Sequence, residues 1–106
     1  MAIFSLYGLG NALVDSEFHV KENFLNEHGI EKGIMTLIDY DRLRMLEEAL
    51  GKDSDLKKQA SGGSAANTLI AAANFGSTVF YTCKVACDAL GDFYHGDLIA
   101  SGVNTN

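Results

Sequence analysis

From Ala65 onward the sequence reads helix, strand, helix, and that order constrains the fold more than any other feature. Ala66, Leu69, Ile70 and Ala73 recur on one helical face of a segment spanning Ala65–Phe75, and Gly76 follows where a helix would close. Thr78–Val85 is rich in β-branched and aromatic residues, as a strand is. Asp88 can cap a last helix over Ala89–Ser101, stopped by Gly102. The earlier half is richer in strand patterns. Ala2–Leu9 is an apolar run ending in Gly8-Leu9-Gly10 and reads as a buried strand entering a turn. Glu17–Lys21 alternates polar and apolar, a strand with one wet face. Ile34–Ile38 is a third strand candidate, and another short strand is expected near 57–60, beyond a charged loop at Asp53–Lys58. A short helix is expected over Glu22–Glu27, closed by Gly29. A longer one over Tyr40–Leu50 has Asp39 as N-cap, Leu43, Leu46 and Leu50 on one face, and Gly51 just past its end. These elements predict a mixed α/β sheet carrying helices.

Composition narrows the function classes. The 106 residues suffice for one modest core, and 47% hydrophobic with 21% charged residues is globular rather than disordered. A formal net charge of −6 repels phosphate backbones and argues against nucleic-acid binding. No apolar run approaches the ~20 residues that span a bilayer. Met1-Ala2-Ile3-Phe4 lacks the pattern of a signal peptide, so a cytoplasmic protein with no membrane partner is expected. With no proline, chain reversals rest on glycine, asparagine and aspartate. Cys83 and Cys87 are too few for a disulfide framework or a zinc site and read as reduced, buried thiols.

Three segments could carry chemistry. Gly8-Leu9-Gly10-Asn11-Ala12-Leu13-Val14-Asp15 fails as a dinucleotide fingerprint, because Leu13 stands at the third glycine position and a strand follows instead of a helix. Asn11 and Asp15 follow the end of a buried strand, where α/β sheets bind ligands. A carboxylate accepts from two neighbouring hydroxyls while an amide both donates and accepts, which suits a vicinal diol. Turn chemistry is the alternative use of the same two residues. Ser61-Gly62-Gly63-Ser64-Ala65-Ala66-Asn67-Thr68 is a glycine turn opening a helix. It permits close ligand approach, with Asn67 in the first turn, or is simply a turn capped by Ser64. It lacks the lysine of a phosphate-binding P-loop. In Lys84–Asp92 a strand turns into a helix with Asp88 as cap, and Asp92 and Asp97 read as solvated helix residues. His19 could face a ligand or sit exposed on its strand, and His28 suits a helix C-terminus as a cation.

In this order and spacing, Gly-x-Gly-Asn-x3-Asp, then Gly-Gly-Ser-x2-Asn-Thr, then strand–Asp-x2-Gly–helix resembles the N-terminal region of the PfkB, or ribokinase-like, carbohydrate and nucleoside kinases, across essentially the whole chain. The three-residue gap between Asn11 and Asp15, and Gly33–Leu37, look like adenosine kinases. The resemblance implies the N-terminal part of a three-layer α/β/α core with a small β-sheet lid. Core strands would lie near 2–9 and 78–85, and lid strands near 17–21, 34–38 and 57–60. It implies that Asn11, Asp15, Gly62, Gly63 and Asn67 hold the hydroxyls of a sugar or nucleoside, with Phe18, Met35 and Leu37 as lid residues near the substrate. It also implies ATP and Mg2+ as cofactors, bound by a later part of such a kinase together with the catalytic aspartate of a Gly-Ala-Gly-Asp motif. That motif does not occur here, so no catalytic or metal-binding residue is expected in this chain, and the chain alone is expected to be inactive. A non-catalytic binding module, or a fragment that pairs with a second copy through an open sheet edge or the lid, is the alternative.

Overall fold

Parallel pairing of two short strands far apart in sequence organises the larger part of the molecule. The computed structural model describes residues 3–53 and 55–105, with the backbone alone at 53 and 55–57. The elements run β1 (Leu6–Leu9), β2 (Leu13–His19), α1 (Glu22–Glu27), α2 (Tyr40–Asp53), β3 (Asp55–Gly62), α3 (Ser64–Asn74), β4 (Val79–Thr82) and α4 (Ala89–Ala100). Among the described residues two sheets are formed, β1 with β4 and β2 with β3. The chain divides into two compact units, Met1–Asp15 with Gln59–Asn106, and Ser16–Lys58.

In the first unit β1 pairs with β4 in parallel, with Leu6 opposite Val79 and Leu9 opposite Thr82. Such a pair needs a crossover, and α3 lies in it. On the other edge of β4, the Tyr81 N–H donates to the Asn104 carbonyl at 2.9 Å and the Asn104 N–H to the Val79 carbonyl at 3.1 Å. Residue 104 thus extends the sheet in parallel beyond α4. Strand alternation sends Val79 and Tyr81 to one face, where Ala66 and Leu69 of α3, Tyr94 and Leu98 of α4, and Val103 complete a buried core. Gly8 shares that face: a Cβ there would stand 2.5 Å from Leu69 Cδ1, so the missing side chain lets α3 close on the strand.

The opposite face is open. Tyr7 stacks on Phe80 with centroids 5.2 Å apart, and Phe4 meets Phe80 edge-on at 5.1 Å. Tyr7 is still 63% exposed and Leu9 75%. The expected buried strand over Ala2–Leu9 is therefore shorter and covered on one face only, because α3 and α4 both pack on the Val79 side; Ala2 lies outside the described residues. Among the described residues no helix is long and apolar enough to cross a membrane.

In the second unit α1 buries Phe24 and ends at His28, whose ring tilts against Phe24 at 4.3 Å. The Arg42 guanidinium donates to the His28 carbonyl and ties α2 to the end of α1. Asp39 caps α2, its Oδ1 accepting from the Arg42 N–H at 2.8 Å. The helix continues through Gly51 to Asp53 instead of stopping before that glycine, which is tolerated inside a helix at a cost of about 1 kcal/mol. The strand expected over Ile34–Ile38 is not formed. Those residues are irregular and exposed, because β-branched composition makes a strand only where an edge is available to pair with.

Two further boundaries bear on function. β2 begins at Leu13, four residues before the expected alternation, so Asp15 lies within a strand and not in a turn. β3 runs through Ser61 and Gly62, leaving Gly63 alone to turn the chain at φ 102°. Gly63 is the N-cap of α3, and Ser64 is its first residue and caps nothing.

Candidate functional site

The carboxyl ends of β1 and β4 open on a cleft of about 650 Å³, lined by Leu9, Gly10, Asn11, Ala12, Thr82, Cys83 and Lys84. Parallel strands place ligands at this end. The β1–β2 connection reaches it through close backbone approach. A Cβ on Gly10 would lie 2.8 Å from both the Ala65 Cβ and the Tyr81 hydroxyl oxygen. The connection therefore lies directly against the start of α3.

Two contacts join the first motif to the glycine motif. Gly62 is buried, and a Cβ there would fall 2.5 Å from Asp15 Oδ2 and 3.2 Å from its Cγ. The Asp15 carboxylate thus lies directly over the backbone of Gly62, while the residue stays exposed to solvent. A Cβ on Gly63 would stand 3.1 Å from the Asn11 carbonyl oxygen. Asn11 and Asp15 on one side, Gly62 and Gly63 on the other, are therefore brought together. Asn67 follows one helical turn later, its N–H donating to the Gly63 carbonyl at 2.9 Å and its side chain exposed. Phe18, Met35 and Leu37 belong to the second unit. Phe18 is half-buried on β2 and lines a separate cleft of about 530 Å³ with His19, Lys21, Leu25 and Lys32, whereas Met35 and Leu37 are 86% and 87% exposed.

The motif reading missed the residues that hold this arrangement from behind. The Tyr81 hydroxyl donates to the Asn11 carbonyl, and the Tyr94 hydroxyl to the Gly62 carbonyl, each at 3.1 Å. Asp97, expected to be solvated, accepts from Ser61 through Oδ2, at 2.9 Å from its N–H and 2.7 Å from its hydroxyl. Asp97 is half-buried, because α4 lies against the end of β3 here. The legible signal was Tyr94 four residues before Leu98 on an apolar helix face, since a buried phenol requires a partner. Asp88 caps α4 as expected, accepting from the Gly91 N–H at 2.8 Å.

Burial pushes the Tyr94 phenol well above the ordinary range, the adjacent Tyr81 hydroxyl adds to the rise, and the Leu13 backbone opposes it. Tyr94 is therefore protonated at neutral pH, and its hydroxyl is the donor to the Gly62 carbonyl. Burial also pushes the Cys83 thiol up. Cys83 is half-buried, but Cys87 is exposed, so the expected pair of buried thiols is corrected to one partly covered and one open. No set of three or more His, Cys, Asp or Glu side chains gathers among the described residues, and the glycine turn carries no lysine.

A family model for the pfkB carbohydrate kinases matches residues 32–106, which includes the glycine motif, β4 and α4. The chain belongs to the pfkB family of carbohydrate kinases. Solved structures agree. A probable sugar kinase from Rhizobium etli matches at 37% identity and a TM-score of 0.75 over 100% of this chain and 31% of its own length. An adenosine kinase from Sinorhizobium meliloti matches at 38% identity and a TM-score of 0.74 over 99% of this chain and 31% of its own. An adenosine kinase from Trypanosoma brucei brucei, at 24% identity and a TM-score of 0.80, shares the fold over 99% of this chain and 33% of its own. This pfkB chain thus spans about a third of the length of the solved kinases it matches, and its α/β architecture is theirs. No curated protein is significantly similar to it.

Proposed function

We propose that this chain is the substrate-binding N-terminal part of a kinase that phosphorylates a hydroxyl of a sugar or nucleoside, with adenosine-like compounds favoured. The observation that carries the reading is the placement of the Asp15 carboxylate directly over the Gly62 backbone, 2.5 Å from where a Cβ would be. No side chain other than glycine leaves the carboxylate there, and Asn11 arrives beside Gly63 by a similar close approach. The similarity to an adenosine kinase at 38% identity supports the substrate class.

On this reading Asp15 accepts two neighbouring hydroxyls of a polyol, and the Asn11 and Asn67 amides donate to and accept from others. Their work is orientation: one hydroxyl is held in line for attack while the rest of the ring is fixed. Phe18, Met35 and Leu37 are proposed to cover the substrate. ATP and Mg2+ would be held by residues outside these 106, as would the group that accepts the hydroxyl proton. The chain by itself is then inactive in phosphoryl transfer. A second reading, a binding or self-associating fragment without chemistry, is favoured by the open Tyr7–Leu9 face.

The test is calorimetry with adenosine and with ribose on the protein encoded by the whole reading frame. Asp15→Ala is expected to weaken binding by roughly tenfold to a hundredfold, the loss of a charge-assisted pair of bonds. Affinity unchanged in Asp15→Ala would remove that residue from the site.

A further inference from the structure

Two segments must keep a fixed separation if Asn11 and Asp15 are to share one ligand with Gly62 and Gly63, yet one is a connection and the other a strand end. The side chains that reach them come from β4 and α4. Tyr81 and Tyr94 are each 1% exposed, and each directs its hydroxyl at a backbone carbonyl of one segment, Asn11 and Gly62 respectively. Both side chains belong to the same buried core cluster, so the two anchors rest on one packed support. Asp97 adds a third attachment, one carboxylate oxygen taking both the N–H and the hydroxyl of Ser61, the residue before Gly62.

Packing alone does not require this chemistry. Phenylalanine would fill either tyrosine's volume, and a carboxylate near a core costs free energy unless it is bonded. All three polar groups go to the backbone or side chain of the residues that carry, or directly precede, the candidate ligand groups. A displacement of Gly62 by an ångström would move it against or away from Asp15 Oδ2, since the two already approach to less than a side chain's width.

We propose that Tyr81, Tyr94 and Asp97 are positioning residues that set the spacing between the Asn11–Asp15 and Gly62–Gly63 halves of the polyol site. The proposal rests on the polyol reading above. It makes α4 part of the substrate-binding machinery although none of its residues needs to touch substrate. The hydroxyl of Tyr94 acts as a fixed donor, and Asp97 prevents the end of β3 from sliding along α4.

Calorimetry on the intact protein separates the possibilities, with adenosine and ribose as probes and each variant held well below its melting midpoint. Tyr94→Phe and Asp97→Ala are each expected to weaken binding by about three- to tenfold in the folded protein. Asp97→Asn, whose amide oxygen still accepts the Ser61 N–H, is expected to recover most of that loss. A merely structural role would lower the melting temperature and leave the affinity of the folded protein within twofold, which would overturn the proposal. If Asp97→Ala does not fold, Tyr94→Phe, which deletes one oxygen, decides alone. Asp15→Ala is the control: weakened there but unchanged in Tyr94→Phe, the positioning role fails by itself. Wild-type affinity in Asp15→Ala, or a wild type that binds neither probe, removes the polyol site and this proposal with it.

Discussion

Replacing Gly62 by alanine should separate binding at the proposed site from folding. Gly62 does not occupy the left-handed region, so alanine fits its backbone without strain. The new Cβ would stand 2.5 Å from Asp15 Oδ2, where ordinary contact begins at 3.4 Å, and the oxygen must retreat by about 0.9 Å. Because the obstacle is the end of a side chain and not backbone, Asp15 yields by rotating. A rotation of ~30° from its well costs about 0.5–1.5 kcal/mol. Alanine also restricts the unfolded chain and returns about 0.4–1 kcal/mol at a compatible position. Net stability should therefore change by less than about 1 kcal/mol. Affinity should change far more, since the carboxylate would leave the position from which it is proposed to accept two hydroxyls. Losing one charge-assisted bond weakens binding by roughly tenfold. Denaturant titration of Gly62→Ala, set beside calorimetry with adenosine on the intact protein, reads both quantities. Affinity within twofold of wild type, with Asp15 displaced in the variant's crystal structure, would refute the role given to that carboxylate. A large loss of stability would refute the claim that the side chain yields.

Gly63→Ala should do the opposite. At φ 102°, with a Cβ 3.1 Å from the Asn11 carbonyl, the variant should lose about 1–3 kcal/mol by denaturant titration, and a melt unchanged from wild type would contradict this. Asp88→Ala removes the side chain that accepts from the Gly91 N–H and should cost about 1 kcal/mol, read the same way; full stability would mean that the cap is replaceable. Iodoacetamide at pH 8 should label Cys87 before Cys83. Cys87 is exposed, whereas burial shields Cys83 and raises its thiol, leaving less thiolate below that raised value; equal rates in a mass-resolved time course would contradict it. The isolated 106-residue chain should transfer no phosphate from ATP in a coupled assay and should self-associate through the Tyr7–Leu9 face, so a monomer by light scattering at high micromolar concentration would count against the open face.

Local chemistry made some of the structure legible. Asp39 and Asp88 are caps because a short carboxylate before an apolar helix has little better to do than accept an orphan N–H. Helix periodicity located α3 and α4 within one or two residues, and the β-branched run located β4. The combination of Gly8–Asp15 with Ser61–Thr68 was specific enough to indicate the pfkB family. The failures share a cause. Ile34–Ile38 has strand composition without a strand, Gly51 sits inside a helix, and β2 takes in Asp15, because pairing partners and helix length are decided by neighbours far away in sequence.

The sequence by itself determined which residues cap, turn and alternate, and which family this chain belongs to, since those depend on short spacings and residue chemistry. Only the tertiary structure decided that β1 keeps one face open, that Asp15 lies against Gly62, and that Tyr81, Tyr94 and Asp97 hold the two motifs from behind. Those contacts join residues 32 to 70 positions apart, or rest on a parallel pairing of strands slightly further apart still. No local pattern encodes such a meeting, because it exists only once α3 and α4 have closed on the same side of β4.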